Sequence, residues 1–222
     1  MSRRMPEPAN INLWSSADHA RHYLNTADEI PHRREGERTL LEFLPERVER
    51  FLDVGSGAGR LLSFVKIARP RAACVALDFS PTMLDELRER FGRDGSVTIV
   101  QHDLNDPLPE IGAFDAIVSC FAIHHVPHER KRALYGEIFA RLLPGGAFLN
   151  LEHVASPTVA LHTRFLATMN ITPEDDDPSN KLIDVESQLR WLREIGFVEV
   201  DCHWKWRELA LVAGRKCGPV PA

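Results

Sequence analysis

The sequence predicts an α/β fold: a doubly wound sheet of five parallel strands plus a C-terminal antiparallel hairpin, with helices ahead of the sheet and a helical insert after strand five. Three observations carry this. Short β-type apolar runs alternate with helical runs between residues 50 and 151, the order that parallel strands joined by crossover helices require. The first of those strands runs into a glycine loop, Gly55-Ser56-Gly57-Ala58-Gly59, that opens a helix. After Leu151 the alternation stops, and two final β-type runs close the chain as a hairpin.

Taken in order, helical stretches over residues 16–29 and 35–44 precede a strand at 50–54. The helix after the glycine loop gathers Leu61, Leu62, Phe64, Val65 and Ala68 on one side and stops at Pro70. A second strand spans 73–78. The next helix is punctuated by Ser80 as N-cap, Pro81 at the first helical position and Gly92 at its exit. Its apolar stripe is Met83, Leu84, Leu87 and Phe91, with Glu86 and Arg90 four apart on the wet face. Strands at 97–100 and 116–121 follow, then a helix over 128–143, a Pro144-Gly145-Gly146 turn and a strand at 147–151. Ser156-Pro157 opens a helix to residue 169, and the acidic run 173–178 reads as a solvated loop. A helix over 184–195 ends at Gly196, ahead of the hairpin 197–204 and 207–213. In that hairpin Trp204 and Trp206 share one face and Lys205 takes the other. The organisation expected is an N-terminal helical arm or lid, 1–47, and one domain, 48–222, with an insert over 154–183.

Composition narrows the class. The 222 residues, 44% of them hydrophobic, suffice for one core and fall short of two ordinary enzyme domains. The longest apolar run, 116–123, is broken by Ser119 and is too short to span a bilayer. The start, Met-Ser-Arg-Arg-Met-Pro-Glu-Pro, has no apolar segment behind its arginines, so the expectation is a cytoplasmic protein without a membrane partner, monomeric or homodimeric. Cys74, Cys120, Cys202 and Cys217 are scattered and form neither a zinc pattern nor a disulfide framework, so no metal is expected. A net charge of −5 argues against a nucleic-acid partner; the basic clusters Arg33-Arg34 and Arg130-Lys131-Arg132 are short.

The glycine loop is the chemical centre of the sequence. Glycine there lets the backbone turn sharply and lets a ligand approach the main chain. Dinucleotide sites use G-x-G-x-x-G; here Arg60 stands where that pattern needs its third glycine. Asp53, at the end of the first strand, repels a pyrophosphate and suits a ligand carrying an ammonium and a sulfonium. Asp78 ends the second strand, where a carboxylate holds a ribose diol, and Asp103 ends the third, where it accepts from an adenine amino group.

Five blocks in order resemble the class I S-adenosylmethionine (SAM)-dependent methyltransferases. They are Leu52-Asp53-Val54-Gly55-Ser56-Gly57-Ala58-Gly59, Leu77-Asp78-Phe79-Ser80-Pro81-Thr82-Met83-Leu84, His102-Asp103-Leu104, Phe114-Asp115-Ala116-Ile117-Val118-Ser119-Cys120-Phe121-Ala122-Ile123-His124-His125-Val126, and Leu142-Leu143-Pro144-Gly145-Gly146-Ala147-Phe148. The resemblance implies a seven-stranded sheet with an antiparallel last strand, and SAM as cofactor with S-adenosylhomocysteine as its product. It also implies roles. Asp53, Gly55, Ser56 and Gly57 hold the methionine end, Asp78 the ribose, Phe79 and Met83 the adenine faces, and Asp103 and Leu104 the adenine amino edge. Ser119 lies by the methionine moiety.

The acceptor side is less specific. Ser119-Cys120-Phe121-Ala122 matches neither the Asn/Asp-Pro-Pro-Tyr/Phe of enzymes that methylate nucleobase amino groups nor the Pro-Cys of cytosine C5 enzymes. His124-His125 after the fourth strand and Glu152-His153 after the fifth sit at the sheet edge that faces the methyl group. His124 is the candidate general base, Glu152 its orienter and His153 the alternative base, with His125 read as structural. Trp14, Tyr23, His32, Arg33 and Arg34 from the arm, with Leu161, Phe165 and Met169 from the insert, are expected to close the pocket. The activity expected is methyl transfer to O, N or C of a small organic acceptor. An RNA-modifying enzyme, a modified-SAM enzyme and a non-catalytic SAM binder share the same glycine loop.

Overall fold

A computed structural model describes residues 13–218; the first 12 residues of the expected arm, including its arginine-bearing start, lie outside the described residues. Two helices, α1 (Ala17–Thr26) and α2 (Arg33–Glu42), lead into β1 (Arg50–Val54). The alternation then runs α3 (Arg60–Ala68), β2 (Ala73–Asp78), α4 (Pro81–Phe91), β3 (Val97–Gln101), β4 (Phe114–Cys120), α5 (His128–Arg141) and β5 (Leu142–His153). After α6 (Val159–Ala167) and α7 (Val185–Ile195) the hairpin β6 (Val198–Trp206) and β7 (Leu209–Arg215) closes the sheet.

The seven strands lie in the order β3-β2-β1-β4-β5-β7-β6. β1 is parallel to β2 and β4, β2 to β3 and β4 to β5, whereas β7 is antiparallel to β5 and to β6. The chain moves outward from β1 to β3 and returns to the other side of β1 as β4. The crevice at the C-terminal ends of β1 and β4 is therefore the switch point at which open α/β sheets bind ligands.

Both sheet faces are covered, and β1 is buried from Phe51 to Val54 as a central parallel strand must be. The pleat divides the core. Phe51, Ala116, Val118, Leu149 and Leu151 join Leu40, Leu62 and Val65 under α2 and α3. Leu52, Val54, Ile117 and Phe148 join Leu134, Ile138 and Leu192 under α5 and α7. α2 packs closely because of Gly36: a Cβ there would lie 2.7 Å from Leu151 Cδ1 and 2.9 Å from the Trp204 ring. Trp204 and Trp206 both pack on the α2-side core while Lys205 is exposed, as the alternation predicts.

Several expected boundaries move for local reasons. β5 starts at Leu142, not Ala147: Phe114 pairs with Leu142 but Ala116 pairs with Ala147, so the Pro144-Gly145-Gly146 segment bulges from the ladder instead of turning the chain. α6 starts two residues late because Thr158, not Ser156, is its cap, accepting from the Leu161 N–H at 3.3 Å. The Ser156 hydroxyl donates to Glu208 instead. Ser80 is the N-cap of α4 by position, yet its hydroxyl has no partner; its backbone N–H donates to Asp78 Oδ1 at 2.9 Å. The acidic run is only half solvated. Glu174 and Asp175 are exposed, whereas Asp176 meets His162 Nε2 at 3.2 Å and Asp177 accepts from the Ser179 N–H at 2.8 Å. Among the described residues no helix is long and apolar enough to cross a membrane.

Candidate cofactor cavity

A cavity of about 400 Å³ opens at the switch point, within the range of small-molecule sites. Of the residues expected to bind cofactor, Asp53, Gly55, Ser56, Gly57, Asp78, Phe79, Met83, Asp103 and Leu104 line it together. Strand ends explain the convergence: β1, β2 and β3 each finish at the same edge with an acid within two residues of the last one.

The glycine loop is shaped by what surrounds it. Gly55 has φ +69°, and a Cβ would sit 2.2 Å from Ala122 Cβ, so the loop touches the turn after β4 at a spot where any side chain collides. Gly59 has φ +79° and brings the start of α3 against Leu87 and Phe91 of α4, where a Cβ would approach to 2.6 Å. Ser56 pins the loop to β2, its N–H and hydroxyl both donating to the Leu77 carbonyl at 2.8 and 3.1 Å.

Asp53 is a buried acid in the cavity wall. It is 1% exposed, and neither carboxyl oxygen has a hydrogen-bond partner among the described residues. Burial, then the charge of Asp78, push its carboxyl up to about 8. Such a group is stable as an anion only beside a cation. Asp78 is better provided, since Oδ2 accepts from the Gly57 N–H at 2.8 Å and Oδ1 from Ser80; burial still raises its pKa. Each of its oxygens keeps a second lone pair for a ligand hydroxyl. Asp103 Oδ1 accepts from the N–H and Nδ2 of Asn105 at 2.9 and 2.8 Å. These residues fit the expected cofactor: an orphaned carboxyl for an ammonium, a loop in which a Cβ would clash, and a strand-end acid with free acceptor capacity.

The arm adds what sequence reasoning placed only loosely. Trp14, Tyr23, Leu24, Ala27 and Arg33 line the cavity, with Cys120, Phe121, Ala122, His125 and Ser179. Arg33 is 4% exposed; its Nε donates to Glu37 Oε1 at 2.7 Å, and Nη1 donates to the Tyr23 hydroxyl at 2.9 Å. Its guanidinium covers the Phe121 ring at 5.2 Å. Phe121 takes φ +52°, a strained conformation for a bulky residue, and is held there by its N–H to Leu151 O at 2.9 Å. Burial pushes the Cys120 thiol up to about 12, so it stays protonated at neutral pH and is no nucleophile. Arg60, Ser63, Phe64, Arg90, His102 and Ser179 also line the cavity without having been expected there. Position in α3 after a glycine loop is the only sequence signal that points to the first three.

Four expected site residues fall off the cavity wall. Ser119 is fully buried, and its hydroxyl donates to Val54 O at 2.8 Å, bracing β4 against β1. The pleat is the reason: Ser119 shares a face with Ile117, while Cys120, one residue on, shares the cavity-side face with Val118. Glu152 follows the same rule, lying on the α5 side with Phe148 and Asn150, fully buried. It accepts from His124 Nδ1 at 2.6 Å and from the His153 N–H at 3.0 Å. Burial, then His153 and Lys131, hold His124 well below its usual pKa; burial pushes Glu152 up, with Lys131 opposing. Lys131, itself fully buried and lowered by burial to about 8, donates to the Lys181 carbonyl at 2.8 Å. His153 is on the other face, its Nε2 on Glu208 Oε2 at 2.9 Å, and His162 meets the same carboxylate at 3.1 Å. Among the described residues no group of three or more His, Cys, Asp or Glu could hold a metal ion.

His125, not His124, faces the cavity, because successive residues of the single turn Ile123–His125 point in different directions. The expected pocket closure is correspondingly partial. His32 stacks on Trp206 at 4.4 Å, Arg34 and Leu161 are exposed, and Phe165 packs into the α2-side core.

Residues 51–146 match the family model described as a methyltransferase domain. A demethylmenaquinone methyltransferase of Clavibacter sepedonicus is 30% identical over 172 residues, 71% of this chain and 69% of that protein. The chain belongs to the class I SAM-dependent methyltransferases. A demethylmenaquinone methyltransferase of Thermus thermophilus is 35% identical over 127 residues, 56% of this chain, and the match spans only 55% of that enzyme. The fold of an O-methyltransferase family protein from Burkholderia thailandensis superposes with a TM-score of 0.72 at 19% identity, over 98% of this chain and 66% of that one. The likeness in fold takes in α1, α2 and the hairpin, beyond the matched residues 51–146.

Proposed function

We propose that this methyltransferase binds SAM in the switch-point cavity and transfers its methyl group to O, N or C of a small organic acceptor. The buried Asp53 carboxyl, without a partner and beside a glycine loop, is the observation that carries the reading. A methionine end needs a carboxylate for its ammonium and a cation for its carboxylate; on this wall Asp53 is the buried acid without a hydrogen-bond partner among the described residues, and Arg33 is a buried cation. Asp78 would take the ribose hydroxyls, Phe79 and Met83 the adenine faces, and Asp103 with Leu104 its amino edge. Gly55, Ser56 and Gly57 form the floor.

When bound, the cofactor supplies an electrophilic methyl on a good leaving group. The protein's part is then mainly alignment and exclusion of water. His124 and Glu152 are assigned to holding the turn that carries His125, since their hydrogen bond lies behind that turn. Lys131 and the Lys181 N–H, which donates to the His124 carbonyl at 2.8 Å, complete the brace. His153, bonded to Glu208, ties β5 to the hairpin and to α6. The names of the two bacterial relatives support a small-molecule acceptor.

The test is incubation with methyl-labelled SAM and a fractionated cell extract. Label is expected in low-mass products. Label confined to RNA or protein would overturn the acceptor class. Tight cofactor binding with no transfer to any fraction would make the protein a SAM binder without catalysis.

A further inference from the structure

Trp14 is the unexplained wall of the cavity. It sits on one turn, Leu13–Ser15, ahead of α1 and outside the sheet core, and is only half-buried. Its indole Nε1 donates to His125 Nε2 at 2.9 Å. An indole N–H is a donor only, so Nε2 carries the lone pair and Nδ1 the proton, which is directed at the Ser179 hydroxyl 3.0 Å away. Ser179 is 4% exposed and is fixed through its N–H to Asp177. The imidazole is thereby held in one tautomer with its acceptor nitrogen committed to whatever donor lies on its cavity side.

Three rings among the described residues meet the indole. His19, Tyr23 and His125 meet it edge-on, with centroids at 4.8, 5.0 and 5.4 Å and interplanar angles of 89°, 76° and 63°. Tyr23 is fixed in turn by Arg33. The result is a box for a flat ring carrying one hydrogen-bond donor. It shares the cavity with Phe121 and with Ala122, which abuts the glycine loop.

We propose that the Trp14 indole occupies the seat of the methyl acceptor, that the acceptor is a flat aromatic molecule with an O–H or ring N–H, and that this donor displaces the indole to bond His125 Nε2. This rests on the methyl-transfer reading for its meaning but not for its test. His125 is thereby the residue that selects for a donor-bearing acceptor, and Trp14 is a plug that excludes water from the cavity until the acceptor arrives.

The experiment measures 2-naphthol and 2-methoxynaphthalene binding by calorimetry, with and without S-adenosylhomocysteine, to wild type, Trp14→Phe, Trp14→Ala and His125→Ala. Removing the competing N–H is worth about three- to tenfold, the scale of a neutral hydrogen bond. Naphthol should therefore bind both Trp14 variants more tightly than wild type; the ether must vacate the same seat and gains by a similar factor, but it lacks the bond to His125 and stays the weaker ligand throughout. His125→Ala should erase the difference between naphthol and ether. Imidazole nitrogen spectra should show His125 Nε2 unprotonated in wild type and shifted by naphthol. Weaker naphthol binding to both Trp14 variants would make Trp14 a permanent wall and overturn the proposal, as would equal affinities of naphthol and ether for those variants. Absence of S-adenosylhomocysteine binding to wild type would sink the methyl-transfer reading, while the naphthol series alone still decides the seat.

Discussion

Replacing Asp53 by Asn should make the cofactor-free protein more stable and a worse binder. With its carboxyl at about 8, against about 3.9 in an unfolded chain, Asp53 spends about 4 kcal/mol at pH 7 on being buried in protonated form. Asn has the same shape and no ionisation. Water entering the cavity relieves part of the penalty, so the expected gain is about 2–4 kcal/mol, or roughly 5–12 °C in melting temperature for a chain of this size. The sign with pH is definite. An acid whose folded pKa is raised binds a proton in the native state while the unfolded state has lost it, so wild-type stability falls as pH rises from about 4 to about 8. The gap between variant and wild type should widen by about 1.4 kcal/mol per pH unit over that window and level off above it.

Cofactor binding inverts the balance, because an ammonium needs the ionised carboxylate. S-adenosylhomocysteine should release close to one proton on binding wild type at pH 7, fewer above pH 8, and none from this position in Asp53→Asn. The variant should lose about 2–4 kcal/mol of affinity, the cost of leaving a buried charge unpaired. Thermal scans across pH and calorimetry in buffers of different ionisation enthalpy read all of this. A variant less stable than wild type at pH 7, a pH-independent gap, or undiminished cofactor affinity would refute the assignment of Asp53.

Asp78→Ala should weaken S-adenosylhomocysteine binding by about 1.5–3 kcal/mol, the scale of hydrogen bonds to a charged acceptor; NAD should not compete in the same calorimetric titration. His124→Ala should lower the urea midpoint by the equivalent of about 1.5–3 kcal/mol, since Glu152 loses its 2.6 Å donor. Cofactor affinity should stay within about twofold in that variant because the contact lies behind the wall; full stability with kcat and the acidic limb of the pH profile lost would instead make His124 the base. Gly55→Ala meets both a left-handed φ and Ala122 Cβ at 2.2 Å. It should cost more than the roughly 1–2 kcal/mol of the backbone term alone and abolish cofactor binding, as a thermal shift with S-adenosylhomocysteine would show.

The sheet, its two-sided core and the cofactor wall were legible in the amino-acid order because each depends on local pattern. Strand runs at residues 50–54 and 73–78, the Ser80-Pro81 helix start and the glycine loop are set by side-chain periodicity and backbone freedom within a few residues. Parallel strands must then end at one edge, so Asp53, Asp78 and Asp103 meet there without further information. What tertiary structure decided is which of two neighbours faces the cavity. A strand end is placed from sequence to within a residue or two, and one residue of phase exchanges the faces, which is how Ser119 and Glu152 came to point away while Cys120 points in. The single turn Ile123–His125 has no periodicity to read, so the choice of His125 over His124 rests on partners distant in the chain, Trp14 and Ser179 for one and Glu152 for the other. Arg33 was expected at the pocket together with its neighbour Arg34, which is exposed; the burial of Arg33 over Phe121 follows from how α2 packs against the sheet at Gly36, a contact between segments that no local pattern encodes.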